Sequence, residues 1–205
     1  MNGRKYSMSF TTGTLLHRES EVMTRLYCEL GDWDAGREVV IAENRLQMRT
    51  LNASKRIFQE ISSRLKWLTA PQLQLLLDGS YQEQNYLLWL AVCQRYRFIY
   101  DFAVEVIREK FLRLDFDLSY NDYDIFFNNK AEWHPEVERV ADSTRKKQRQ
   151  FIFKMLREAG LLTADNRLLP VLLSPRLIRV IQEDDPAHFA IFPTRDAAIK
   201  TWTNA

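Results

Sequence analysis

The chain has 205 residues, enough to bury a substantial core in one domain or two small ones. Apolar residues make up 46% and charged residues 27%, with only six glycines and six prolines, which excludes collagenous, low-complexity and largely disordered chains. The 29 basic and 27 acidic side chains leave a net charge of +2, which by itself gives no hint of a nucleic-acid partner.

The opening residues contain no apolar run before Glu19, so no signal-peptide core is expected. Leu15, Leu16, Val22, Leu26 and Leu30 recur at helical spacing and stop at Gly31. Asp32 or Asp34 then caps a second helix carrying Val39, Val40 and Ile41. From Asn52, the residues Ile57, Phe58, Ile61, Leu65 and Leu68 predict a third helix, and Thr69 and Pro71 restart the chain as a short fourth one. Residues 81–114 read as one long helix or two stacked ones, forming the centre of a helical domain over residues 1–116. Arg97, Asp101, Glu105, Glu109 and Arg113 share a four-residue spacing and read as a solvated ion-pair row rather than a metal or acid/base site.

The acid-rich stretch 115–124 marks the expected boundary to a second domain, 117–205. A short helix from Asp122 to Trp133, with Ile125 and Phe126 facing inward, is followed by one that opens at Pro135. A longer helix runs from the capping stretch 141–144 to Ala159 and ends at Gly160. Residues 161–163 and 168–173 read as two strands of a tight hairpin, and Ser174-Pro175 opens a last helix, leaving a tail that packs back or frays. The fold class expected is therefore mainly α: a helical N-terminal domain plus a winged helix-turn-helix with a short β-hairpin.

The third helix of that unit carries the functional signal. Residues 143–157 hold Arg145, Lys146, Lys147, Arg149, Lys154 and Arg157 and no acid. Phe151, Ile152, Met155, Leu156 and Ala159 fall on one arc that faces the core, with Lys146, Lys147, Gln150, Lys154 and Arg157 opposite. Attraction to phosphate is the simplest use of such a face, with Ser143 and Thr144 near the helix start within reach of base edges or backbone and Arg167 at the wing. Residues 44–77 carry a charge of +5, with Arg45, Arg49, Lys55 and Arg56 as a second basic patch that either extends the footprint or pairs with the acidic first or fourth helix. Residues 143–179 carry +7, so the small net charge is a cancellation between basic and acidic segments.

Catalysis finds no foothold. His17, His134 and His188 stand in three separate segments without a partner at motif spacing, and no phosphate-cradling glycine loop or nucleophile elbow occurs. No cofactor, metal or small-molecule substrate is expected. Cys28 and Cys93 read as buried free thiols, and the five tryptophans as core anchors. No apolar stretch reaches the roughly 18 residues needed to span a bilayer, so a cytoplasmic protein without membrane contact is expected.

The segments YSMSFTTGTLLHRESE, NRLQMRTLNASKRIFQEISSRL, YLLWLAVCQRYRFIYDFAVEVIREKF and STRKKQRQFIFKMLREAGLL together resemble the BrxA family, a small component of bacteriophage exclusion (BREX) defence systems. The resemblance covers roughly residues 6–180 and contains no catalytic motif. It implies a helical N-terminal domain, a C-terminal helix-turn-helix, binding to double-stranded DNA, and a place in antiphage defence beside other BREX components. The alternative is a protein-interaction scaffold or regulator, or an RNA binder, within the same complex.

Overall fold

The computed structural model describes residues 5–10 and 12–203, and among them the chain is almost wholly helical. Three helices form the first layer: α1 (His17–Leu30), α2 (Trp33–Ala42) and α3 (Leu51–Leu65). Gly31 closes α1, and the Asp32 carboxylate accepts the backbone N–H of Asp34 to start α2. Thr50, not Asn52, caps α3 by accepting from the N–H of Ala53 at 3.2 Å. The apolar stripe of α3 is buried as its spacing predicts, and it packs on α5.

The short α4 (Ala70–Asp78) leads through Gly79 into α5 (Tyr81–Arg95), whose start is fixed by a reciprocal Ser80–Glu83 capping box. Ten consecutive α5 residues, Gln84 to Cys93, are buried. A helix with apolar side chains all round needs cover on every side, and α5 gets it from α3, α4, α10 and the C-terminal segment. Trp89 is its largest buried side chain, with the indole N–H donating to the Ile191 carbonyl at 3.3 Å.

Of the two alternatives expected over residues 81–114, one long helix or two stacked ones, the chain takes the broken form. Tyr96 leaves helical geometry, α6 (Arg97–Phe102) follows, a π-helical turn occupies Ala103–Arg108, and α7 (Glu109–Leu112) completes the rod. The wider π turn takes the charged row out of register. Asp101 is buried, paired with Arg97 and accepting from the Tyr6 hydroxyl at 2.7 Å, so the solvated row expected from spacing does not exist at this position. Glu105 reaches Lys130 across to the next helix instead.

That next helix is α8 (Tyr120–Ala131), capped by Ser119 and Asp122, followed by α9 (Pro135–Glu138) and α10 (Asp142–Glu158). Phe126 faces inward as predicted, whereas Ile125 is 51% exposed because α8 buries the arc of Tyr123, Phe126 and Phe127. Gly160 terminates the α10 region at φ 71°, a left-handed backbone that a side chain would disfavour.

The expected β-hairpin is present only in outline. Thr163 N–H donates to the Arg167 carbonyl and Leu169 N–H to that of Leu161, and the turn leans on residues 116–118 through Leu168 N–H to Phe116. Isolated bridges join Leu162 to Leu168 and Asp117 to Arg167, and no strand forms among the described residues. Leu161 and Leu162 are both buried, so the alternation of a strand is lost, and Pro170 offers no N–H to extend the ladder.

After Ser174 caps α11 (Pro175–Gln182), a 3₁₀ turn over Pro186–Ile191 and α12 (Asp196–Thr203) complete the chain. The tail packs back. Phe189, Ile191 and Phe192 are fully buried, Phe192 meets Tyr86 edge-on, and Gln72 of α4 donates to the Val180 carbonyl of α11. The N-terminal segment crosses the other way, with the Tyr6 N–H on Glu136, the Met8 carbonyl on Gln148 and the Leu15 N–H on Glu158. One apolar cluster thus runs from Tyr6 to Phe192, across residue 116.

Two further expectations change. Cys93 is buried but Cys28 is exposed, because the last residues of α1 project beyond their neighbours. Trp133 and Trp67 are 80% and 51% exposed, sitting at helix ends rather than in the core.

Candidate nucleic-acid interface

Helix α10 is built as the periodicity predicts on its inner side. Ile152, Phe153, Met155 and Leu156 are buried, and Gln148 joins them by donating to the Met8 carbonyl at 2.6 Å. Its six cations, however, divide into two sets.

Arg145 and Arg149 point back at α8. Arg145 donates to both the carboxylate and the backbone carbonyl of Asp124 at 3.0 and 3.1 Å and to Asn128 at 2.8 Å. Arg149 takes the other carboxylate oxygen of Asp124. Their guanidinium groups lie over aromatic rings of α8, Arg145 on Phe127 at 4.5 Å and Arg149 on Tyr120 at 4.4 Å. These two cations dock one helix onto another, and Asp124 is the acid that the count over residues 143–157 leaves out.

Arg157 is half-buried and donates to the Asn166 side chain at 2.5 Å. Arg167 stands at the turn opposite Asp117 at 3.4 Å, both exposed. Lys154 is exposed and lies 3.9 Å from Glu158. Ser143, Thr144, Lys146, Lys147 and Gln150 are exposed and bond to no other side chain among the described residues. The geometry therefore brings together Ser143, Thr144, Lys146, Lys147, Gln150 and Lys154 on one wet helical face, with Glu158 at its C-terminal end beside Lys154, and draws Arg145, Arg149 and Arg157 into the protein.

The second basic region divides in the same way. Arg64, counted among its charges, is buried: its guanidinium donates to Glu60 and to the carbonyls of Thr14 and Thr12, while the Tyr96 hydroxyl donates to the same Glu60 carboxylate at 2.7 Å. Arg45 pairs with Glu43 at 2.6 Å. Arg49, Lys55 and Arg56 remain exposed and unpaired among the described residues, on α3 and the loop before it.

No group of three or more His, Cys, Asp or Glu side chains among the described residues is arranged to hold a metal ion. No helix among them is long and apolar enough to cross a membrane.

A family model described as BrxA matches residues 4–185. A relative named BREX protein BrxA from Escherichia coli O9:H4 (strain HS) is 30% identical over 172 residues, covering 83% of this chain and 81% of the relative. A protein of the same name from Paramagnetospirillum magneticum (strain ATCC 700264 / AMB-1) is 25% identical over 186 residues, 90% of this chain and 94% of its own. The crystal structure of an uncharacterized protein from Magnetospirillum magneticum superposes with a TM-score of 0.80 at 24% identity, over 93% of this chain and 98% of that one, which shows a shared fold.

Proposed function

The chain belongs to the BrxA family of BREX phage-defence components, and from that premise we propose that it serves as a non-enzymatic, cytoplasmic protein that binds double-stranded DNA through α10. The observation that carries this reading is the exposed, mainly basic face of Lys146, Lys147, Gln150 and Lys154, on which the long Lys154–Glu158 contact at 3.9 Å is the one ion pair among the described residues. A face kept wet for solubility alone mixes its signs evenly, whereas here Lys146 and Lys147 pair with no acid among the described residues, and the nearby Asp124 is occupied by two other arginines. The order α8, α9, α10 and then a tight turn with Arg167 is compatible with a helix-turn-helix whose wing is reduced to a turn, and on this reading α10 is the helix presented to a groove. Contacts are expected mainly to phosphate, since lysines act as point charges and dominate this face.

Affinity for a generic duplex should fall with salt at a log-log slope of about 3, one unit for each lysine–phosphate contact. Reversing Lys146, Lys147 and Lys154 to Glu should abolish binding, while Arg113→Glu, just past the end of α7, should not. Undiminished duplex binding by the triple variant would reject the assignment of α10. Purified protein that ignores duplex DNA but co-purifies with another BREX component would favour a scaffold role instead.

A further inference from the structure

A cleft of about 490 Å³ lies between the end of α7, the turn after α10 and the start of α12. Phe111 and Phe116, edge-on to each other at 5.5 Å, form one wall, Leu168 and Pro170 a second, and Pro193 and Ala198 the third. Its volume falls in the range of sites that enclose whole small molecules, and its walls are apolar with few polar groups.

Beside the uncharged Thr163 and Thr194, the charged groups it has are of one sign. Arg167 and Arg195 line it, both exposed, and no carboxylate does. The clefts elsewhere on the surface carry acids: Glu105, Glu109, Asp115 and Asp122 between the π turn and α8, and Asp184 and Asp185 beside the 3₁₀ turn. Arg167 shares its charge with Asp117, whereas Arg195 has no ion-pair partner among the described residues. The walls are also held in place without a ligand, by the ion pair of Arg108 with Asp196 at the head of α12 and by the Leu168 N–H on the Phe116 carbonyl at 2.7 Å.

We propose that this cleft binds a small apolar carboxylate, its hydrocarbon part between the Phe111, Leu168 and Pro193 walls and its charge on Arg195. A surface for a folded protein partner would need some 800 Å² on each side, much more than this cleft presents. Arg167 belongs to both this cleft and the turn invoked for DNA, but Arg195 and Ala198 lie outside the α10 face, so variants there test the cleft alone. The proposal also departs from the expectation of a protein without small-molecule contacts.

Decanoate, kept below its micelle concentration, is the probe, with decanol as its neutral counterpart, both measured by calorimetry on the full chain. Saturable decanoate binding at least tenfold tighter than decanol is expected, in line with one charge-assisted hydrogen bond. Arg195→Ala should weaken decanoate about tenfold and leave decanol unchanged, and Ala198→Trp should close the cleft to both. Near-ultraviolet circular dichroism checks that each variant keeps its fold, and Arg195→Ala at an exposed position keeps the test decisive if Ala198→Trp does not. No saturable decanoate binding, equal affinity for decanol, or indifference to Arg195→Ala would overturn the proposal. So would tight binding of an acidic, leucine-rich peptide where decanoate fails, which would make the cleft a peptide site.

Discussion

Gly13 lies directly against the ring of Phe151, so closely that a Cβ on Gly13 would come 2.1 Å from the ring's Cδ1. The N-terminal segment is thereby pressed onto α10, the helix proposed to face DNA, at a point where no side chain fits between them. Gly13→Ala should destabilise the fold by about 1 to 3 kcal/mol in denaturant titration, because the half-buried Phe151 ring must shift and uncover part of the contact to make room. In Gly13→Ala/Phe151→Ala the two costs should sum to less than the single effects, since trimming the ring removes the clash. Additive costs would place the strain elsewhere.

The two sets of cations on α10 should separate in a paired measurement of stability and binding. Asp124→Ala strips the partner from Arg145 and Arg149 and should cost about 1 to 2 kcal/mol, moderated because all three side chains retain some solvent. Lys146→Glu/Lys147→Glu should leave stability within about 0.5 kcal/mol, as exposed changes do, and act on duplex affinity. A stability loss in the lysine variant equal to that of Asp124→Ala would mean that this face is structural.

Arg64 and Glu60 form a buried pair, 4% and 10% exposed at the side chain. Arg64→Met leaves the Glu60 carboxylate with the Tyr96 hydroxyl alone and should cost about 3 to 5 kcal/mol. Burial first, and then the Glu60 charge, push the Tyr96 phenol up to about 12. In Glu60→Gln a spectrophotometric titration should find one tyrosine moved back toward its ordinary value, and an unchanged titration would remove Glu60 as a cause.

At acid pH the weak point should be Glu83. Partial burial pushes its carboxyl upward, but hydrogen bonds from Ser174 and from the backbone and hydroxyl of Ser80 outweigh this and hold it below its ordinary 4.5. A carboxyl depressed in the folded state contributes stability that is present above 4.5 and is lost as pH falls through its folded value. Glu83 both caps α5 and ties it to the start of α11, so Glu83→Gln should lower stability at neutral pH and flatten its decline as pH falls below 4.5. Parallel pH profiles for the two proteins would rule this out.

Several helices were legible in the sequence because they bury a stripe at a period of 3.6, as Ile57, Phe58, Ile61 and Leu65 do on α3, and α5 because it is apolar nearly all round. Some turns with local chemistry, such as Gly31 at the end of α1 and Ser174-Pro175 at the start of α11, could be read as well, whereas the reciprocal caps of Ser80 with Glu83 and Ser119 with Asp122 were not. What could not be read was pairing across sequence distance. Nothing in residues 143–157 indicates that Asp124 claims two of their arginines, or that Glu60 and two backbone carbonyls swallow Arg64. The exposed lysines of α10 were recovered; the arginines beside them carry the same formal charge and differ only in where their neighbours sit. The hairpin signal failed for a related reason: Leu161 and Leu162 are both apolar, and burying both requires a turn shaped by the core and not by its own ladder.

The crossing of the two chain ends has a further consequence. Residues 6–15 clasp α9 and α10, while residues 186–202 close over α5 and α6, so each half of the sequence wears part of the other as its lid. A chain cut after residue 116 would leave Trp89, Tyr86 and the rest of α5 bare where Phe189 to Phe192 now lie, and one released from residue 117 onward would lose the cover of its third helix. Melting should accordingly appear as a single calorimetric transition, and dissection into fragments should yield aggregation-prone pieces that recover solubility only when expressed together.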